Sequence, residues 1–176
     1  MSTKGNGASS RRTRRMRHGG ASVAEIEELY RRRFPVFVRT VTATLRDADA
    51  AVDVVQDGFA LALRKRRTFR GDSNTEAWVW RIVLNVALDH ARQQRRARQL
   101  ERVEPAPAGD DHSTIDLRAL VLALPQRQRL ILFLRYYADL TYEQIAEALG
   151  VRTGTVAATL HSAHATLRRE LEEVPR

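Results

Sequence analysis

The sequence contains no cysteine among its 176 residues. This absence excludes a disulfide scaffold, a cysteine-ligated zinc site, a thiol nucleophile and an iron–sulfur cluster. No apolar run approaches the roughly 18 residues that a membrane-spanning helix needs. The basic N-terminus is not followed by the apolar stretch of a secretory signal. We therefore expect a cytoplasmic protein without membrane insertion.

The sequence also lacks the residue patterns that carry catalysis. It has no glycine-rich phosphate loop, no histidine or acidic residues at metal-ligand spacing and no nucleophile paired with a base. Its five histidines are scattered along the chain. We expect no enzymatic activity, no metal site and no cofactor.

Basic residues are in excess and are concentrated in the first half of the chain. The net charge is +9, and residues 1–24 hold six basic residues and no acidic one. Such an excess favours a polyanionic partner, nucleic acid before membrane. Residues 1–22 are poor in apolar side chains and are predicted to be a disordered tail. This tail either binds phosphates loosely or only keeps the chain soluble.

The apolar residues recur at helical spacing, and no segment alternates with the period of two that marks a strand. Residues 23–98 are predicted to form three helices, with Pro35 kinking or breaking the first. Residues 99–114 contain prolines, a glycine and paired aspartates, which is typical of a linker. Residues 115–176 return to helical patterning. The predicted fold class is all-α, with two small helical domains joined by a flexible linker.

The predicted second helix begins after Asp47, a good N-cap, and carries apolar residues on two faces. A core stripe is expected from Val52, Val55, Phe59 and Leu63, with Val54, Gly58 and Leu61 roughly opposite. Between these faces lie Asp53, Gln56 and Asp57. Such a helix is either the central helix of its domain or a docking surface for a basic protein partner.

The predicted third helix, residues 75–98, begins at a possible capping box formed by Ser73 and Glu76. Its core face is expected to consist of Val79, Ile82, Val83 and Val86. Its other face carries Trp78, Arg81, Asn85, Asp89, Arg92 and Arg96. Arginines neutralise phosphates and an indole ring can stack on an unpaired base. This stripe is either a nucleic-acid surface or a solvated face with a half-buried tryptophan.

Residues 140–169 have the spacing of a helix-turn-helix, whose second helix enters the major groove of DNA. Thr141 with Gln144 makes a capping box, and Gly150 suits the end of the short first helix. The inward stripe of the second helix is expected to be Val156, Leu160, Ala163 and Leu167. The outward face is small and almost uncharged: Ala157, Ala158, His161, Ala165 and Arg168. Helices that read the groove normally carry longer polar side chains, so we expect this module to bind DNA weakly.

Two stretches in the first half of the chain follow the pattern of a known family. Residues 51–59 read AVDVVQDGF, and residues 69–73 and 78–85 read FRGDS and WVWRIVLN. They resemble the acidic motif and the FRG…WLxRIAxN run of bacterial sigma factors of the extracytoplasmic-function (ECF) group.

Three motifs in the second half resemble the same family. They are LPQRQR at residues 124–129, TYEQIA at 141–146 and GVRTGTV at 150–156. The family commonly continues as GTVKSRLxRAR. This chain replaces four usual cations with Ala157, Thr159, Ser162 and His164. We expect promoter choice to depend mainly on the −10 element.

The resemblance implies a dissociable subunit that directs core RNA polymerase to promoters. Residues 23–98 would be sigma region 2, which docks polymerase and opens the −10 element, and residues 115–176 would be region 4, which holds the −35 element. Residues 99–114 would link them. The implied partners are core RNA polymerase, promoter DNA and an anti-sigma factor. The protein would associate with the nucleoid when bound to polymerase.

The resemblance also assigns contact residues to each role. The polymerase-binding residues would be Asp53, Val54, Gln56, Asp57 and Leu61. The −10 element would be bound by Arg70, Asp72, Ser73, Asn74, Trp78, Arg81, Asn85 and Arg92. The −35 element would be bound by Arg127, Arg152, Thr153, Thr155, Ala157, Ala158, His161 and Arg168.

The alternative function is a stand-alone helix-turn-helix transcription regulator that never touches polymerase. That alternative explains residues 140–169 but not the acidic second helix or the stripe that begins at Trp78. An enzyme acting on nucleic acid is disfavoured by the missing catalytic patterns.

Overall fold

The structure is a computed structural model that describes residues 20–71, 74–101 and 117–172. Within these ranges the chain is helical and contains no strand, which confirms the predicted all-α class. The helices are α1 (Val23–Leu45), α2 (Ala48–Lys65), α3 (Thr75–Glu101), α4 (Leu117–Ala123), α5 (Gln126–Leu132), α6 (Tyr142–Leu149) and α7 (Thr153–Glu172). A 3-10 turn, Arg66–Thr68, follows α2, and a π-helical turn, Phe133–Tyr137, follows α5. Most of the predicted tail and most of the predicted linker lie outside the described residues.

Helix α1 begins at a reciprocal capping box. The Glu25 backbone N–H donates to Ser22 Oγ over 3.0 Å, and the Ser22 N–H donates to the Glu25 carboxylate over 2.9 Å. The helix continues through Pro35, so the predicted break at this residue is wrong. It ends at Arg46, which adopts a left-handed conformation with φ of 60°.

Helix α2 lies between α1 and α3 and packs against both. Its N-cap is Asp47, whose carboxylate accepts the Ala50 N–H over 3.0 Å, as the sequence predicts. Its buried residues are Ala51, Val54, Val55, Gly58, Phe59 and Ala62. The predicted core stripe is therefore wrong in part. Val52 is only half-buried and Leu63 is exposed, because a helix with two packing partners centres its buried face between them.

Helix α3 supplies the middle of the core with Trp80, which is fully buried. Val79, Ile82 and Val83 are buried as predicted, whereas Val86 is half-buried. Residues Ala77 and Leu84 are buried as well, on a side of α3 to which the sequence analysis assigned no partner. The helix runs to Glu101, so the predicted linker does not begin at residue 99.

Helices α6 and α7 form the predicted helix-turn-helix. The capping box of α6 is present, with Thr141 Oγ1 accepting from the Gln144 N–H over 3.2 Å. Gly150 ends α6 in the left-handed conformation with φ of 64°, which glycine adopts without a steric penalty. Three of the four residues expected to face inward on α7 are buried, Val156, Leu160 and Ala163, whereas Leu167 is only half-buried.

The two helical domains pack against each other. Helix α6 lies against α3, and α5 lies against α1. Buried apolar residues of both domains form one continuous cluster. The sequence predicts two modules on a flexible joint and gives no sign of this contact. Leu84 of α3 belongs to this shared cluster.

Candidate nucleic-acid and protein interfaces

The solvent face of α2 carries two carboxylates and an amide. Asp53, Gln56 and Asp57 are all exposed, and they lie on the side of the helix turned away from its buried residues. Leu61 at the edge of this face is half-buried. Val54 is only 3% exposed and packs inside the domain, so its side chain is not part of the surface. We call the surface formed by Asp53, Gln56 and Asp57 the acidic edge.

The contacts of α2 with both α1 and α3 explain the width of its apolar face. A Cβ added to Gly58 would lie 2.7 Å from Val83 Cγ2, so α2 and α3 approach as closely as glycine permits. Partner docking is therefore not needed to account for the apolar residues on both faces. Only the acidic edge itself still points to a protein partner.

Helix α3 presents a polar stripe to solvent. Arg81, Asn85 and Arg92 are exposed, and Arg92 donates to Asp89 over 2.7 Å in an ion pair whose two side chains are both largely exposed. An ion pair this exposed contributes little stability and leaves the guanidinium accessible to a phosphate. Trp78 lies at the N-terminal end of this stripe. We call the surface formed by Trp78, Arg81, Asn85 and Arg92 the Trp–Arg stripe.

Trp78 is half-buried and packs on Phe69. The two ring centroids are 5.4 Å apart with their planes tilted by 49°. Phe69 is buried at the start of the loop that joins α2 to α3. The contact positions the indole at the junction of this loop with the stripe.

The loop before α3 differs in part from expectation. The residue that caps α3 is Asn74, whose Oδ1 accepts the Glu76 N–H over 2.7 Å. The Glu76 carboxylate pairs with Arg33 over 3.0 Å. Ser73, the other member of the predicted capping box, lies outside the described residues. Of the other candidate −10 residues, Arg70 is exposed, whereas Asp72 and Ser73 lie outside the described residues.

A basic cluster beside this loop was only partly included among the candidate −10 residues, which contain Arg70 but none of its other cations. Residues 64–70 read RKRRTFR, and all five cations are exposed except Arg66, which is half-buried. The 3-10 turn brings the cluster to the C-terminal end of α2, next to the loop that leads to Trp78. The run of charge in the sequence was the available signal.

Most candidate −35 residues lie at the start of α5, just before α7 or in its N-terminal half, whereas Arg168 lies near the C-terminal end of α7. Thr155 is half-buried and the others are exposed: Arg127, Arg152, Thr153, Ala157, Ala158, His161 and Arg168. An open groove between α5 and α7 is lined by Arg127, Gln128, Thr155, Ala158 and Ser162. Gln128 donates to Ser162 across this groove over 3.1 Å. The exposed face of α7 is as poor in long polar side chains as the sequence predicts.

Hydrogen bonds from the backbone lower the pKa values of two carboxyl groups. The Ala50 N–H holds the pKa of Asp47 below its usual value. The pKa of Glu143 in the first turn of α6 is also lowered, by its own backbone N–H and then by Thr141. In both cases the ionised form is the better acceptor at a helix N-terminus.

These features together define a class of protein. A three-helix domain with separate acidic and basic surfaces is joined to a helix-turn-helix, which is the architecture of a DNA-binding transcription factor with a protein partner. Within the described ranges, no helix has the length and apolar content to cross a membrane.

Comparison with known families identifies both domains. Residues 29–97 match Sigma-70 region 2, and residues 114–167 match Sigma-70 region 4. The chain is 32% identical over 139 residues to the RNA polymerase sigma factor SigV of Bacillus subtilis, covering 77% of this chain and 84% of that protein. It is 30% identical to the ECF RNA polymerase sigma factor SigM of Mycobacterium tuberculosis, covering 82% of this chain and 76% of that protein.

Two solved structures share the fold. The sigma factor RpoE of Bartonella quintana, crystallised with the anti-sigma factor NepR, gives a TM-score of 0.71 at 22% identity, covering 87% of this chain and all of that one. CnrH, solved with the cytosolic domain of CnrY, gives a TM-score of 0.65 at 23% identity, covering 88% and 92%.

The chain belongs to the ECF group of RNA polymerase sigma factors, which direct RNA polymerase to promoters. The stand-alone regulator is not favoured, because the match includes region 2 as well as the helix-turn-helix.

Proposed function

We propose that the two domains divide the work of promoter recognition, with the N-terminal domain binding core polymerase and the −10 element and the C-terminal domain binding the −35 element. The observation that carries this proposal is the separation of charge in the N-terminal domain. The acidic edge lies on the solvent face of α2, and the Trp–Arg stripe lies on the solvent face of α3. One surface would repel DNA and the other attracts it.

The acidic edge is the polymerase-docking surface in this proposal. Asp53, Gln56 and Asp57 make the direct contacts, with Leu61 at their margin. Val54 supports this surface from the core and does not touch the partner. Exposed carboxylates steer association with a basic protein surface and set its salt dependence.

The Trp–Arg stripe and the loop before it bind the −10 element. Arg70, Arg81 and Arg92 contact phosphates, and Asn85 and Trp78 face the opened bases. Asp72, Ser73 and Asn74 would form the pocket for a flipped base. Extruding a base costs a few kcal/mol, and stacking on Trp78 offsets about 1–3 kcal/mol of that cost.

The C-terminal domain holds the −35 element weakly. The base-reading positions on α7 are occupied by Ala157, Ala158 and His161, which offer few hydrogen bonds to base edges. Binding would rest on Arg127, Arg152 and the hydroxyl groups near the start of α7. Promoter choice would then depend mainly on the −10 element.

The proposal includes the partners and setting of such a subunit. The chain acts by binding, without a catalytic step of its own, in the cytoplasm and on the nucleoid when polymerase carries it there. An anti-sigma factor is the expected inhibitor, since RpoE of Bartonella quintana, which shares the fold, was crystallised with the anti-sigma factor NepR.

Binding to core polymerase tests the docking surface. The double variant Asp53→Asn/Asp57→Asn removes both charges of the acidic edge and keeps the side-chain volume. We expect its affinity for core polymerase to fall by roughly tenfold or more at low salt, with run-off transcription reduced in proportion. Asp49→Asn, also exposed on α2 but in its first turn, is the matched control and should leave the affinity within about twofold.

Equal affinities for the double variant and the control would contradict docking at the acidic edge. Promoter opening is tested separately, with polymerase saturated by the sigma factor. Arg81→Ala/Asn85→Ala should then impair opening of a −10 element without changing the amount of holoenzyme. Unchanged opening would remove the Trp–Arg stripe from the proposal.

A further inference from the structure

The chain enters the N-terminal domain across the end of α2. The Ala21 backbone N–H donates to the Arg66 carbonyl oxygen over 2.9 Å, and the Ala21 side chain is buried in the apolar core. Ser22, the next residue, caps α1. Residues 1–19 are therefore joined to the domain at the 3-10 turn that follows α2.

The approach of the chain to this turn depends on glycine. Gly20 has a φ of 122°, a conformation that other residues rarely adopt. A Cβ at Gly20 would lie 3.3 Å from the Arg66 carbonyl oxygen and 3.6 Å from Arg67 Cα. The backbone of Gly20 thus lies directly against the turn that carries the basic cluster, residues 64–70.

The exposed cations of the basic cluster are available to an anion. Four of them form no ion pair with a carboxylate of the residues that the structure describes: Arg64, Lys65, Arg67 and Arg70. Elsewhere in the same domain Arg33 pairs with Glu76, and Arg92 pairs with Asp89. Cations that lie close together without partners repel each other, so an anion that neutralises them is bound favourably.

Stabilisation of α2 explains only part of this cluster. Cations in the last turn of a helix interact favourably with its dipole, which accounts for Arg64 and Lys65. Arg66 donates to the Leu63 carbonyl oxygen over 3.1 Å and serves the same helix end. Arg67 and Arg70 lie beyond the helix, where its dipole does not account for them.

The segment attached at Gly20 carries charge of the same sign. Residues 1–19 hold six basic residues and no acidic one. This segment and the basic cluster together contain eleven of the 30 Lys and Arg residues and none of the 21 acidic residues. Outside them, acidic residues outnumber basic ones, although the whole chain has a net charge of +9. The excess positive charge therefore lies in two segments that the fold joins at Gly20.

DNA is the polyanion that fits this position. Phe69, within the basic cluster, packs on Trp78 at the N-terminal end of the Trp–Arg stripe. DNA held on the stripe therefore has phosphates near the cluster. An anionic membrane would need apolar side chains beside the cations to anchor the chain. Residues 1–19 contain no aromatic residue and no leucine, isoleucine or valine, so they do not fit a membrane.

We propose that residues 1–19 are a DNA-binding arm, which acts with the basic cluster to hold the DNA backbone beside the −10 element. The arm binds phosphates, and phosphate contacts add affinity without reading the base sequence. It supplies phosphate contacts that the exposed face of α7 lacks. The place of contact rests on the proposed function, in which the Trp–Arg stripe binds the −10 element.

The salt dependence of promoter binding by the holoenzyme tests the arm. The variant Arg11→Gln/Arg12→Gln/Arg14→Gln/Arg15→Gln/Arg17→Gln removes most of its charge. Each lost phosphate contact makes the plot of log affinity against log salt shallower by about 0.9. We expect a slope shallower by about 2 or more, and binding weaker by roughly tenfold or more near 0.1 M salt. The loss should be as large on DNA with a scrambled −10 element, because the arm reads no bases.

The basic cluster is tested with a matched control. Arg64→Gln/Arg67→Gln removes two exposed cations of the cluster and should make the slope shallower by about 1 to 2. Arg31→Gln/Arg32→Gln removes two exposed arginines of α1 outside the cluster and should leave the slope almost unchanged. The affinity of each variant for core polymerase should equal that of the wild type.

A cleavage probe locates the arm on the DNA. The chain has no cysteine, so Ser10→Cys gives a single attachment site for an iron chelate that cuts nearby DNA. Eleven residues from Ala21, this position stays within about 40 Å of the attachment point. We expect cuts beside the −10 element and none at the −35 element.

The proposal would be overturned by unchanged slopes in both the arm variant and the cluster variant. It would also be overturned if the arm variant lost affinity for core polymerase and not for DNA. Shallower slopes combined with cuts far from the −10 element would support the arm and overturn the assignment of that element to the Trp–Arg stripe. Failure of the arm is therefore distinguishable from failure of the proposed function.

Discussion

The rings of Phe37 and Trp80 stack with their centroids 3.7 Å apart and their planes 16° from parallel. Phe37 also meets Phe59 edge-on, at 4.9 Å and 73°, so the three helices of the N-terminal domain join at this aromatic cluster. Trp80 is fully buried in it, whereas Trp78 two residues earlier is half-buried near the surface. The two tryptophans of the chain therefore serve different purposes.

Replacing each tryptophan with alanine should separate stability from function. Trp80→Ala removes the centre of the core and should lower the free energy of unfolding by about 3–5 kcal/mol. Trp78→Ala should cost less stability but reduce promoter opening by roughly tenfold to a hundredfold, which corresponds to the free energy of stacking one base on an aromatic ring. Thermal melts and open-complex assays on both variants check this. A Trp78→Ala variant that opens promoters normally would contradict the assignment.

A second prediction concerns the close approach of α2 and α3. In Gly58→Ala the new Cβ would lie 2.7 Å from Val83 Cγ2 and 3.0 Å from Val83 Cα, so the helices must move apart. Overpacking costs about 1–3 kcal/mol, against a gain of about 1 kcal/mol in helix propensity. We expect a net loss, seen as a melting temperature lower by a few degrees.

Gly154→Ala is the matched control for this substitution. Its Cβ would meet no atom within 4 Å, so only the helix propensity changes and the melting temperature should rise slightly. If both alanine variants were stabilised, the contact between Gly58 and Val83 would be looser than described.

The N-cap of α2 predicts a dependence of stability on pH. The folded state lowers the pKa of Asp47, so the ionised cap stabilises the fold above the pKa of the unfolded chain. That contribution is lost as the pH falls through the lower folded value, below about pH 4. The difference in melting temperature between wild type and Asp47→Ala should therefore be largest near pH 7 and shrink toward pH 3.

Asp47→Asn distinguishes charge from hydrogen bonding at this position. Asparagine is an equally good N-cap without a titrating group. The difference in melting temperature between Asp47→Asn and Asp47→Ala should therefore stay nearly constant with pH. If the difference in melting temperature between wild type and Asp47→Ala did not change with pH, ionisation of Asp47 would contribute nothing to the stability of the fold.

A fourth prediction concerns the weak face of α7. Ala157→Lys and Ser162→Arg restore cations at two exposed positions and should strengthen binding of promoter DNA by the full holoenzyme. Each new phosphate contact should steepen the plot of log affinity against log salt by about 0.9. Ala123→Lys adds a positive charge at the exposed last residue of α4, outside the exposed face of α7, and should leave the slope almost unchanged. If Ala157→Lys, Ser162→Arg and Ala123→Lys all gave the same slope of log affinity against log salt, the exposed face of α7 would not touch the DNA backbone.

Helix boundaries were predictable because their signals are local. Asp47, Thr141 and Gly150 each act on backbone groups within four residues, so their roles follow from spacing alone. The exposed members of the acidic edge and of the Trp–Arg stripe also follow from the helical period. The cap that Asn74 provides at the start of α3 was not predicted, although it too acts within two residues.

Burial on helices with two packing partners was not predictable in the same way. On α2, Val54 is buried and Leu63 is exposed, because the buried face is centred between α1 and α3. Periodicity shows how wide an apolar face is but not which part of it meets a neighbour. Ala77 and Leu84 of α3 are buried as well, and Leu84 belongs to the apolar cluster shared by the two domains. No local sequence pattern predicts a contact between domains.

The sequence by itself determined the family, the helices and the side chains that reach solvent, since these depend on short-range spacing and on motifs read along the chain. Only the tertiary structure decided that Arg129 is buried and that the two domains meet. The reason is physical: an arginine within an exposed-looking LPQRQR motif becomes a cap only when the end of a helix 86 residues away in the chain supplies the carbonyl oxygen.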